Sequence, residues 1–189
     1  MNLIRAVLVA GVLTLAPALA LAAPAAWTVD KGASHLNFAS SVSGKPFSGT
    51  FKRWDAVIHF DPKDLAHSDV SVTVDVASAF SGDGDRDVSM PTPDWFWTSH
   101  FPRATFVARS FRATGPGRYE AAGVLTLRGV AKPLTLPFTL AITGPAAKMS
   151  ARVSLDRLAF GVGQGEWKTT ETVPAAVTVI VDLTARRAP

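Results

Sequence analysis

The run Val70-Ser71-Val72-Thr73-Val74-Asp75-Val76 puts four valines on one parity and Ser71, Thr73 and Asp75 on the other. Side chains of an extended chain point alternately to its two faces, so this is a strand with one face on an interior and one in water. β-Branched residues suit such a pleated, half-buried surface. The same period recurs toward the N-terminus. From Phe51 to Phe60, Trp54, Ala56, Ile58 and Phe60 share a face with Lys52, while Arg53, Asp55 and His59 lie opposite. We expect one strand across that stretch. From Ser34 to Val42, Leu36, Phe38, Ser40 and Val42 oppose His35, Asn37 and Ser41, and Trp27 to Asp30 is a short strand closed by Lys31-Gly32. Ser43-Gly44-Lys45-Pro46 and Asp61-Pro62-Lys63-Asp64 read as turns.

Toward the C-terminus the alternation stops and then resumes. The stretch from Asp85 to Phe106 gathers five aromatics within twelve residues, with Pro91, Pro93 and Pro102 among them. It reads neither as strand nor as simple turn, and a short irregular or helical segment is expected near residues 82–102. Strands follow over Thr105–Phe111, Arg118–Leu127, Leu134–Ile142, Met149–Leu155 and Ala175–Thr184, separated by Gly115-Pro116-Gly117, Arg128-Gly129, Gly144-Pro145 and the Gly161–Gly165 loop. Within Leu134–Ile142, Pro137 has no N–H for a ladder, so the strand needs a bulge or an edge there.

Eight or nine strands with regular turn signals make an all-β chain, an antiparallel barrel or sandwich. The chain holds no cysteine. Without disulfides an exported domain gains from closure, which leaves no unpaired edge, and eight strands suffice to enclose one elongated ligand. Export is the expectation because Arg5 is followed by an apolar run from Ala6 to Leu21 and a small-residue cleavage signal at Ala20-Leu21-Ala22. Residues 1–22 are then a cleaved signal peptide, residues 23–189 a single domain, and the periplasm its compartment. The net charge of +4 is mild and its Lys and Arg are scattered, which argues against nucleic acid.

Signals for catalysis are weak: the chain lacks a Gly-x-Ser-x-Gly elbow, a phosphate-binding Gly loop and a His-x-x-x-His pair. His35, His59, His67 and His100 fall on polar faces or in turns, and solvated surface is preferred over a zinc site. Asp83-Gly84-Asp85-Arg86-Asp87 has the acidic spacing of a calcium loop, but Val88 stands where that loop needs Gly. A turn whose aspartates bind backbone N–H groups is the better reading. The aromatics fit either a dry core or the lining of an apolar cavity.

Several motifs together are more specific. Trp27-x-x-Asp30 with Ser34, Gly49-x-Phe51, Phe60-Asp61, Arg86-Asp87, Asp94-x-Phe96 and Phe101-Pro102-x-x-Thr105-Phe106 come in order. They are followed by Gly123-x-Leu125-Thr126-Leu127-x-Gly129-Val130-x-Lys132-Pro133 and Arg157-x-x-Phe160-Gly161. This pattern closely resembles the YceI-like family of exported proteins over essentially the whole mature chain. The resemblance implies an extended, eight-stranded lipocalin-like barrel whose lumen holds a polyisoprenoid, an isoprenoid quinone or a fatty-acid-like amphiphile. It implies a binding protein with no cofactor or metal, a monomer or homodimer in transient contact with inner-membrane proteins. The chain departs from the family at Trp95, Trp97 and Ala131, where Phe, Asp and Thr are usual.

By inward parity the lumen residues are Phe38, Trp54, Ile58, Phe106, Leu125, Leu127, Phe138 and Leu140, with Trp95, Phe96 and Phe101 as a cover. An anionic head group would sit at an open end, where Arg53, Arg103, Arg109 and Arg157 are candidates by charge. Two rival readings stay open at this point. One is an enzyme acting on a similar lipid, with His100 or Asp87 as acid or base. The other is an interaction module whose interior is filled.

Overall fold

A computed structural model describes residues 24–188. The strands are β1 (Ala26–Val29), β2 (His35–Val42), β3 (Lys45–Phe51), β4 (Trp54–His59), β5 (Asp69–Asp75), β6 (Ala79–Phe80), β7 (Arg103–Gly115), β8 (Arg118–Leu127), β9 (Val130–Thr143), β10 (Ala146–Asp156) and β11 (Ala176–Arg187). One short helix, α1 (Gly84–Ser89), lies between β6 and β7.

Pairing reduces these eleven segments to eight staves. β1 and β2 both lie along β11, Trp27 opposite Arg187 and Phe38 opposite Val179, so they are one long strand interrupted by a 3-10 turn at Lys31–Ala33. β3 and β4 likewise form one stave, against β2 and β1 on one side and β6 and β5 on the other. β7 to β11 then follow as an antiparallel meander, and β11 closes the ring on the first stave. The result is a closed eight-stranded antiparallel barrel, as the fold reading expected. The signal-peptide expectation falls on residues 1–22, outside the described residues.

Two tight turns are set by their own residues. Ser43-Gly44 and Arg128-Gly129 are two-residue connections with φ of 48° and 77°, and of 49° and 74°. Both residues being left-handed is what a type I′ hairpin requires.

The expected single strand from Phe51 to Phe60 is corrected to two. The chain turns a corner at Lys52-Arg53 because its neighbour turns there too. In that neighbour a 3-10 turn at Val76–Ser78 is capped by Asp75, whose carboxylate accepts from Ala77 N–H. The Arg53 N–H donates to Ser78 Oγ at 2.9 Å, and Ser78 Oγ donates to Asp75 O at 2.6 Å. The corner resets the parity. Phe51 and Trp54 both point inward, and Lys52 swings out to lie 3.3 Å over the Phe80 ring.

Pro137 does create an edge. β9 runs unbroken, yet its ladder with β10 starts at the Thr143/Ala146 turn and ends at the Phe138–Ala151 pair. Beyond it, Arg152–Asp156 of β10 pair with β11 alone. The imide nitrogen has no hydrogen to continue the ladder. Above Pro137 the wall between β9 and β10 is therefore a slot without cross-strand bonds.

Candidate ligand-binding site

The barrel encloses a cavity of about 580 Å³, within the ~300–1,000 Å³ common for small-molecule sites. Its wall is overwhelmingly aliphatic and aromatic, supplied by the inward parity of each stave. Val70, Val72, Val74 and Val76 all face it. So do ten of the eleven residues picked from the sequence: Phe38, Trp54, Ile58, Trp95, Phe96, Phe106, Leu125, Leu127, Phe138 and Leu140.

Phe101 is the correction. Its ring lies edge-on to Trp97 and His100, at centroid distances of 5.6 and 4.6 Å. A Cβ on Gly129 would come within 2.6 Å of it. Phe101 therefore seats the irregular segment on the β8–β9 turn, and the Phe101 and Gly129 motif positions serve one contact. Trp97 is also off the cavity wall. It stacks on His100 at 4.6 Å and takes φ 50°, a left-handed backbone unusual for a bulky residue. Its replacement by Asp therefore bears on how the segment is seated rather than on the shape of the lumen.

One end of the lumen is shut by a cluster of rings. Phe60 packs at 5.4 Å from Phe111, 5.5 Å from Tyr119 and 5.8 Å from Phe138. Trp27 closes over them, its indole N–H donating to Phe60 O at 2.9 Å, so the buried polar atom of this plug is satisfied.

The other end is roofed by residues 81–102 and the β10–β11 loop. Phe38, Phe51 and Phe96 form a chain of rings from wall to roof, at 5.2 and 6.2 Å. Gly49 lies opposite Phe38 because a Cβ there would meet the ring at 2.3 Å. Trp95 packs on Trp167 at 5.3 Å. The two roof segments are bonded together where Gly163 and Gln164 donate backbone N–H groups to Asp94 O, at 2.8 and 2.7 Å.

Two arginines hold the roof. Arg157, 3% exposed, donates to the carbonyls of Pro174, Val162, Trp167, Thr169 and Val173 and so gathers the loop around itself. Arg128 donates to Pro93 O and Gly161 O and ties the β8–β9 turn to both roof segments.

Around α1 the aspartates bind backbone N–H groups, as the capped-turn reading expected. Asp83 accepts from Arg86 N–H, and Asp87 accepts from Ser81 N–H, Ser81 O–H and Gly82 N–H. Desolvation works to raise the Asp87 pKa, but these bonds and the nearby Arg86 charge outweigh it and hold the carboxyl below the usual range. Asp87 is committed to pinning the loop. His100 is exposed on the outside, and neither residue faces the lumen. His59 and His67 pair with Asp69 and Asp64, at 3.0 and 2.8 Å.

Leu134 and Leu136 share the parity of Phe138 and Leu140 along β9 and line the lumen with them. Phe51 was hidden by the corner. Asp83, Asp85, Arg86 and Ser89 border the lumen beside α1, where no sequence period marks them. Of the head-group candidates, Arg53 pairs with Asp75, Arg103 and Arg109 are exposed, and none of these three lines the lumen. Arg157 alone of the four borders the lumen. A cavity of this size also removes the reading of a filled interior.

A family model for the YceI-like domain matches residues 27–185. A UPF0312 protein of Pseudomonas syringae pv. tomato is 30% identical over 161 residues, covering 80% of this chain and 83% of that protein. Protein YceI of Escherichia coli O157:H7 is 35% identical over 118 residues, 61% of each chain. Among solved structures, Burkholderia cenocepacia BcnA superposes with a TM-score of 0.80 at 34% identity, over 83% of this chain and 99% of that one. A polyisoprenoid binding domain from Saccharophagus degradans, implicated in plant cell wall breakdown, shares the fold with a TM-score of 0.69 at 15% identity, over 87% of this chain and 99% of that one.

Proposed function

The chain belongs to the YceI-like family, and on that premise we propose that it is a periplasmic binding protein that carries a polyisoprenoid, an isoprenoid quinone or a similar long-chain amphiphile in its lumen. The observation that carries this is the lumen itself: a cavity of about 580 Å³ walled by aliphatic and aromatic side chains. The shared fold with a polyisoprenoid binding domain supports the ligand class.

Each methylene moved from water into such a wall contributes ~0.8 kcal/mol. Over a long chain that sum passes the practical ceiling of about 18–21 kcal/mol, so ordering the chain must offset much of it. The slot above Pro137 is the route in. Leu134 and Leu136 line the lumen on its β9 side, and Val153 and Leu155 on its β10 side. A tail can pass there without breaking a ladder bond. Carriage rather than catalysis fits the site, since Asp87 is engaged in its loop and His100 lies outside.

The test is mass spectrometry of organic extracts from natively purified full-length protein, with fractionation and the intact mass. Expected are a long-chain species near one per protein, a periplasmic location and loss of residues 1–22. Protein that carries no such species, and takes none up when offered, rules the reading out. Turnover of the bound species, abolished by Asp87→Asn or His100→Ala, would replace it with an enzyme.

A further inference from the structure

The basic side chains are spread along the chain, yet the fold gathers them on one wall of the barrel. Residues 103–156, which make the β7–β10 meander, carry eight Lys and Arg against two Asp and Glu. Residues 24–80, which make the first three staves, carry five against six. Six of the eight, Arg103, Arg109, Arg112, Arg118, Lys148 and Arg152, are exposed. Among the described residues only Arg112 of these is paired with an acid, Glu120. Asp69 and Asp75 flank the wall on β5 and Asp182 flanks it on β11, and counting all three against it still leaves three positive charges in excess.

Between these cations runs an uncharged stripe. On β9 the outward residues Ala131, Pro133, Thr135, Pro137, Thr139 and Ala141 are all exposed. Val107, Val124 and Pro133 stand side by side in one row across β7, β8 and β9, the valines 36% and 45% exposed. Cations border the stripe. Arg118 is opposite Thr139 and Lys148 opposite Ala141, and Arg109 sits in the β7 irregularity two residues beyond Val107. Arg152 follows Ala151, the last β10 residue of the ladder, at the foot of the slot. The slot thus opens within this wall, and the route into the lumen shares a face with the apolar row and its basic flanks.

We infer that this face, centred on β8 and β9, docks on an anionic membrane surface, its apolar row against the lipid and its cations on the head-group phosphates. The choice of a bilayer rests on the lumen reading, since a lipid tail must leave a bilayer to enter the slot. An apolar stripe with basic flanks gains both from burial at the head-group boundary and from attraction to anionic lipid. A second copy is a poorer occupant, because a two-fold contact would set the excess positive charge of this wall against itself. The acids of residues 81–102 belong to the roof at the barrel's end, so the contact is expected along the wall below it.

Natively purified protein would be sedimented with vesicles of phosphatidylglycerol and phosphatidylcholine, and with phosphatidylcholine alone. Binding is expected to the anionic vesicles only, and should be largely lost in about 1 M salt, which screens charge beyond ~3 Å. Arg109→Gln with Arg152→Gln should weaken it roughly thirtyfold, the effect of two charges at such a surface. Both side chains are exposed and make no ion pair or hydrogen bond among the described residues, so the fold is not at stake. Val124→Asp should weaken binding as well, while Lys45→Gln with Lys63→Gln, outside this wall, should leave it unchanged. Equal binding to both vesicle types overturns the inference, and so does binding that survives the Arg109 and Arg152 changes. Protein that ignores the anionic vesicles overturns it too, and self-association lost in Val124→Asp would then assign the face to a second copy. Uptake of a fluorescent long-chain probe from solution is read separately. Uptake without vesicle binding leaves the lumen reading standing, whereas vesicle binding without uptake removes that reading and leaves the docking face.

Discussion

Asp87 shows how one side chain fixes the roof. Its carboxylate gathers Ser81 and Gly82 ahead of α1, and its pKa is held below the usual 3.8. A depressed carboxyl contributes stability that is complete above its unfolded pKa and is lost as pH falls through its folded one. The stability difference between wild type and Asp87→Asn should therefore be constant from about pH 5 to 7 and shrink below about 3.8, the unperturbed value. Chemical denaturation at a series of pH values measures it. A difference that grows toward acid would contradict the assignment. Asp87 was legible as part of a motif and of an acidic run, but which N–H groups it binds was not, because they belong to the strand end before the helix.

At the scale of elements, Pro137 decides how far β9 and β10 are joined. Its side chain is on the outer, exposed face, so a valine fits without touching the lumen. Pro137→Val restores a donor where the ladder stops, and the two edges should zip further toward Ala131 and Asp156. We expect slower uptake of a fluorescent long-chain probe, by about tenfold for a barrier of ~1.4 kcal/mol, with thermal stability unchanged or raised. Stopped-flow mixing reads the rate and amide exchange in β9 reads the ladder. An unaltered rate with a protected ladder would place the route in elsewhere. The proline's effect on one strand was readable in advance. That it opens a slot into the lumen depends on which strand lies beside it.

For the whole molecule, a domain built around a large cavity gives up the packing that a filled interior would supply. A ligand that binds only the folded barrel returns stability by mass action, about 2.7 kcal/mol at one hundred times its Kd. Stripping the native cargo should lower Tm, and restoring it should raise Tm in proportion to the logarithm of its concentration. Calorimetry of stripped and reloaded protein checks this. A Tm indifferent to loading would separate the cargo from the lumen.

Alternation in Val70–Val76, Leu134–Ile142 and the final valine-rich strand determined the staves and their inward faces, because side-chain direction in a strand is a local property of the backbone. The motifs likewise determined the family. Only the tertiary structure decided the rest. The corner at Lys52-Arg53 answers a turn in the neighbouring stave, and Phe101 left the lumen for Gly129 across the roof. Arg157 was drawn into a cradle of carbonyls from residues 162–174. Each depends on hydrogen bonds and packing between segments distant in the chain, and a period of two carries no record of which segments those will be.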